Sequence, residues 1–153
     1  MTKETRNPND ESAASRLRAE EEFWGVQEDS GSLVLRDEPV SKTAYDLEER
    51  TAKFGEVIVL FAKKIPQNPV NNRLIDQLVG AGTSVGANYC EADDGVSKKD
   101  FRNKIGTCRK EARETKCFLR IVATSEPQLK PEARVLWQEA KELHLIFSKI
   151  WQS

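Results

Sequence analysis

Phe101, Ile105, Cys108, Ala112, Thr115, Leu119 and Val122 recur at steps of 4, 3, 4, 3, 4 and 3. A repeat sustained over that length lays an apolar seam along one side of a long helix, and the seam needs another helix to cover it. Leu136, Ala140, Leu143, Phe147 and Ile150 repeat the same spacing further along. Two seams of this kind commit the chain to helix-on-helix packing. No segment alternates with period two over a useful length; Ser32 to Leu35 comes nearest.

Prolines and capping residues divide the rest. A first helix runs from about Thr43 to Lys64, with Leu47, Phe54, Val57, Ile58 and Phe61 on one face and a start at Thr43–Asp46 or Asp46–Glu49. Ile65-Pro66-Gln67-Asn68-Pro69 breaks it, because proline cannot continue a helix interior. Asn68 then caps a second helix with Pro69 in its first position. That helix shows Leu74, Ile75, Leu78, Val79, Val85 and Tyr89 before Asp93-Asp94-Gly95 stops it. Ser97 with Asp100 starts the third, Ser125-Glu126-Pro127 ends it, and Pro131 starts the fourth. Four amphipathic helices on short connections predict an all-α fold, an antiparallel up-and-down four-helix bundle over residues 41–153.

Residues 1–40 read differently. They are acidic, poor in aliphatics and end near Pro39, which predicts a largely disordered N-terminal arm with a short helix around Ala13 to Phe23. Phe23, Trp24, Leu33, Val34 and Leu35 are apolar enough either to cluster locally or to dock on another surface, a protein partner among them.

The longest apolar run, Val57 to Ala62, is far short of the ~20 residues a membrane span needs. The opening residues carry no apolar signal core, so the expected place of the chain is the cytoplasm and no membrane is implied. Three cysteines without a pairing pattern fit a reducing compartment.

Several motifs invite a chemical reading. Gly80-Ala81-Gly82 with Gly86 resembles a dinucleotide loop, but the residues before it keep helical spacing where that motif needs a strand. The structural reading is a helix made of small residues so that a neighbouring backbone can approach. Cys90, Cys108 and Cys117 lie 18 and 9 residues apart and include no C-x-x-C pair, so no metal site is expected. Cys90 stands where a calcium loop requires aspartate. His144 is the only histidine, with no nucleophile motif pointing to it. No catalytic constellation is present and no cofactor is implied; the chain is expected not to be an enzyme.

Charge carries the strongest functional signal. Net charge is -1, yet residues 1–50 hold 13 acids against 7 bases, and residues 98–120 hold 9 bases against 3 acids. At 100° per residue, Lys98, Arg102, Arg109, Arg113, Lys116 and Arg120 fall within about a 60° arc, roughly 100° from the centre of the apolar seam. The ridge would run about 33 Å. It can track a phosphate backbone, pair with acids such as Glu48, Glu49 and Glu56 within or between subunits, or simply keep the surface solvated. No aromatic residue interleaves, so base stacking and sequence reading are not implied.

Two stretches carry a family resemblance. Leu74 through Gln77, Ala81, Ser84, Val85, Asn88 and Glu91 fit the pattern L-x-x-Q-x-x-R-A-x-x-S-[IV]-x-x-N-x-x-E. Ser97 to Phe101, and Lys110 through Glu114 to Leu119, resemble the third helix of the same family. Tyr45-Asp46-Leu47 resembles its entry into the first helix. The family is the four-helix-bundle proteins that include the 23S rRNA intervening-sequence protein, and the likeness spans about residues 43–151. It implies a non-catalytic, ring-like homopentamer. It also implies kinship with the accessory variability determinants of diversity-generating retroelements, which are basic and associate with nucleic acid, so RNA becomes the favoured partner. The family's usual arginine before the alanine is Gly80 here, so any contact it makes is missing. Gln77, Ser84, Asn88 and Glu91 share one helix face and are expected to form a polar layer between helices or between subunits.

Overall fold

The computed structural model describes residues 8–25 and 44–153, and the chain divides into two units, Met1–Asp37 and Glu38–Ser153. In the first unit, α1 spans Pro8–Trp24. It is longer than the short helix expected around Ala13 to Phe23. Proline at its first position has no backbone N–H to leave unbonded. Gly25 follows the helix with φ +79 and donates its N–H to the carbonyl of Glu21 at 2.9 Å. This is the left-handed termination that glycine adopts without a Cβ penalty. The Phe23 and Trp24 rings meet edge to face, with centroids 4.8 Å apart. The rest of the arm, with Leu33, Val34 and Leu35, lies outside the described residues.

The second unit holds four long helices: α2 Ala44–Ala62, α3 Pro69–Asp93, α4 Lys98–Ser125 and α5 Lys130–Gln152. Among the described residues there is no strand. The expected starts of α3 and α4 are the observed ones. The Asn68 side chain accepts from the Asn71 N–H with Pro69 just inside α3, and the Ser97 hydroxyl accepts from the Asp100 N–H at the start of α4. Each cap satisfies one of the otherwise orphaned amides of a first turn. A 3₁₀ turn, Pro127–Leu129, leads into α5, which begins one residue before the expected proline. Thr43, one candidate start of α2, lies outside the described residues.

Each helix packs on the next, and α5 returns to α2. Contacts pair residues in opposite running order. Asn71 meets Ser125 and Glu126 while Val85 meets Cys108. Lys64 meets Glu132 while Arg50 meets Glu139 and Glu142.

Both seams are inward. Ile105, Cys108, Ala112, Thr115, Leu119 and Val122 are each fully buried, as are Ala140, Leu143 and Phe147. Phe101 is a correction: it stands 38% exposed at the open end of its seam, one turn from the α4 start. The buried Thr115 hydroxyl returns to the Glu111 carbonyl at 2.7 Å, which lets a polar residue occupy a seam position.

The glycines of α3 allow a close approach rather than bind a nucleotide. Their segment is continuous helix, and a Cβ added at Gly82 would stand 2.8 Å from Ile58 Cγ2. At Gly86 it would stand 3.2 Å from the Thr51 carbonyl oxygen, whereas Gly80 has open space. Ile58 is fully buried and β-branched, so it cannot swing aside. Gly82→Ala is therefore expected to destabilise the fold by about 1–2 kcal/mol, because overpacking outweighs the ~1 kcal/mol of helix propensity gained. Gly80→Ala is expected to stabilise it slightly. Urea titration of both variants checks the sign, and a stabilised Gly82→Ala would contradict the packing account.

Candidate nucleic-acid interface

Four of the six ridge cations, Arg102, Arg109, Lys116 and Arg120, recur at intervals of seven and four along α4, on the side that turns toward α5. Lys98, Arg102 and Arg113 are exposed, and Arg109, Lys116 and Arg120 are half-buried. Of the half-buried ones, Arg109 and Lys116 lean on α5. The Arg109 guanidinium carbon lies 4.2 Å from the centroid of the Trp151 ring and that of Arg102 4.8 Å from the same ring. Lys116 Nζ lies 5.4 Å from Trp137, which Lys141 also approaches at 5.5 Å. A ring's negative face attracts each cation, and the long aliphatic stems cover apolar surface while the charge reaches water.

The aromatic residues that interleave with the ridge belong to a different helix. Trp137, His144 and Trp151 recur every seven residues on α5. That interval keeps one side of α5 against one side of α4, and it was the available signal. The same stretch of α5 carries Lys130, Arg134 and Lys141, which with Trp137 fall within about a 60° arc. The ridge is thus one half of a two-helix basic face.

Acids of α5 point elsewhere. Arg50 of α2 donates Nε to Glu139 Oε1 at 2.6 Å and an amino N–H to Glu142 Oε2 at 2.7 Å. Burial alone would lower the Arg50 pKa, and the hydrogen bonds and charges of Glu139 and Glu142 together outweigh it, so the guanidinium is held above its usual range. Glu132 takes Lys64, two residues past the end of α2. Carboxylates therefore gather on the α2–α5 seam and cations on the α4–α5 seam. Glu48, Glu49 and Glu56 line a separate groove of about 1180 Å³ between α2 and α3, floored by Ala52, Gly55, Thr83, Gly86 and Ala87.

The expected polar layer takes a different form within one chain. Gln77 and Glu91 are exposed, and Ser84 and Asn88 are half-buried. The Ser84 hydroxyl donates to the Gly80 carbonyl at 2.6 Å and Asn88 Nδ2 to the Ser84 carbonyl at 2.8 Å, both inside α3. Glu91 pairs with Lys104 of α4. Within one chain the stripe lies beside the interior positions of α3, which Leu78, Val85 and Tyr89 take.

Among the described residues no group of three or more His, Cys, Asp or Glu side chains could hold a metal ion, and no helix is long and apolar enough to cross a membrane. Cys108 is buried, its thiol donates to the Val85 carbonyl at 3.5 Å, and burial pushes its pKa up to about 12. Cys90 and Cys117 are exposed. Two thiols are accordingly expected to react with a disulfide reagent in the native protein and the third only on unfolding. Three equally fast thiols would contradict the placement of Cys108.

The fold and face define a small all-helical protein with its positive charge concentrated on one pair of helices. The model of the family described as 23S rRNA-intervening sequence protein matches residues 44–149, and the chain belongs to that family. It is similar to a crystal structure of a protein of unknown function from the S23 ribosomal protein family of Bacteroides thetaiotaomicron VPI-5482. The two share 25% identity with a TM-score of 0.63, over 72% of this chain and 98% of the other. No curated protein matches the chain in sequence.

Proposed function

We propose that this protein is a non-catalytic, homo-oligomeric, antiparallel four-helix bundle that binds nucleic acid, RNA in preference, through the α4–α5 basic face and without reading sequence. The observation that carries this reading is charge segregation, with Lys98, Arg102, Arg109, Arg113, Lys116 and Arg120 joined by Lys130, Arg134 and Lys141 while the α5 acids serve α2. A face that concentrates one sign of charge attracts a polyanion and releases its counterions. The reversed running order of the contacts favours the up-and-down bundle, and family membership favours an RNA connection. A ring of five subunits accompanies this reading through the family resemblance, and the cytoplasmic location expected from the sequence goes with it.

A second reading has an observation of its own. The α2–α3 groove exposes Glu48, Glu49 and Glu56 and the apolar Leu60. In a scaffolding oligomer this groove would receive the basic face of another subunit, with a protein partner engaged elsewhere, through the arm for example. Binding of a labelled structured RNA across a salt series, with assembly state followed by sedimentation at the same salts, separates the two. Micromolar binding that weakens steeply with salt supports the first. An RNA-inert chain whose assembly dissolves in salt supports the second.

A further inference from the structure

Trp151 sits near the end of α5, and its indole edge rests on α4 at the one place where α4 lacks a side chain. A Cβ at Gly106 would stand 3.1 Å from Trp151 Nε1 and 3.4 Å from Cδ1. Arg102 lies four residues before Gly106 and Arg109 three after it. Both guanidiniums are drawn to the one ring, at 4.8 and 4.2 Å from its centroid. Among the described residues neither is paired with a carboxylate.

We infer that Trp151 is a positioning residue that holds Arg102 and Arg109 as a preformed pair for two phosphate groups of a nucleic-acid strand. The inference rests on the nucleic-acid reading above. An arginine loose on a helix surface samples many rotamers, and ordering it on binding weakens affinity. Stacking on the indole orders it beforehand while leaving its in-plane N–H groups available, the geometry in which arginine takes phosphate as a fork. Two like charges gathered at one ring repel, and an anion across them relieves the repulsion, whereas a neutral ligand does not. Gly106 is part of the device, because any side chain there would displace the ring.

The experiment measures anisotropy of a labelled structured RNA with the full chain across a salt series, for the wild type, Trp151→Phe, Trp151→Leu and Gly106→Ala, with melting temperatures alongside. Trp151→Leu keeps apolar bulk but loses the ring. It is expected to bind about tenfold more weakly at each salt with the salt slope unchanged, since both cations remain. Trp151→Phe keeps a ring face and is expected within about threefold of wild type. Gly106→Ala is expected to weaken binding without lowering the melting temperature, because alanine favours the helix. That variant keeps the inference testable if Trp151→Leu fails to fold.

Wild-type affinity in both Trp151→Leu and Gly106→Ala overturns the inference. So does equal weakening in the Phe and Leu variants that tracks a loss of stability, which would make Trp151 a helix pin only. A wild-type chain that binds no RNA at low salt removes the underlying reading, and this positioning role with it.

Discussion

Replacing Asn71 with leucine is expected to destabilise the protein by about 3 kcal/mol. Asn71 is fully buried and holds two chain reversals together. Its Nδ2 donates to the Pro66 carbonyl at 2.9 Å and to Glu126 Oε1 at 2.8 Å, and its Oδ1 accepts from the Ser125 hydroxyl at 2.6 Å. The α2–α3 loop and the end of α4 are thus joined through one amide. Leucine fills similar volume but removes all three of these hydrogen bonds, at about 1 kcal/mol each. A loss of that size lowers the melting temperature by roughly 10 °C. A fall in unfolding free energy of under about 1 kcal/mol in urea would show that the amide is not the joint between the two reversals.

The acid side of the stability curve should respond as well. Hydrogen bonds from Gln128 first and Asn71 second hold the Glu126 carboxyl below the usual carboxylate range. Because its folded pKa is depressed, the stability it adds is present above the ordinary carboxylate pKa and is lost as pH falls through the folded value. Without Asn71 that acid limb should be shallower.

The triple variant Arg109→Ala, Arg113→Ala, Lys116→Ala is expected to bind RNA on the order of 100-fold more weakly at about 100 mM salt. Each phosphate contact contributes about 0.7–0.9 to the slope of log affinity against log salt, so losing three flattens the slope by about 2. Both changes must appear together. Weaker binding with an unchanged slope would point to damaged packing against Trp137 and Trp151 rather than to lost phosphate contacts. Equal affinity would place any RNA surface elsewhere.

Only half of the α4–α5 face was legible in the sequence. Six of its cations were visible because they share one helix, where 100° per residue converts spacing into direction. Trp137 and Trp151 were not, because which side of α5 meets α4 depends on how two separate helices rotate against each other. Asn71 was equally hidden. One polar residue in the first turn of a capped helix looks like surface, and only the arrival of Ser125 and Glu126 from 54 and 55 residues away makes it buried and bonded.

The polar stripe of α3 was legible only as a stripe. Gln77, Ser84, Asn88 and Glu91 do share a face, as spacing requires, but spacing cannot tell an inward face from an outward one when glycine and alanine lie on both. Leu78, Val85 and Tyr89 decided it by taking the interior.

Local physics was therefore written in the chain itself. The helical period, the Asn68 and Ser97 caps, the proline breaks and the two heptad seams each depend on residues within a few turns of one another. The tertiary structure alone decided the Asn71 joint, the notch at Gly106 beneath Trp151, the fit of Ile58 against Gly82 and the pairing of the α5 acids with Arg50 and Lys64. Those features need atoms from helices far apart in sequence, and their geometry exists only once the buried seams have packed.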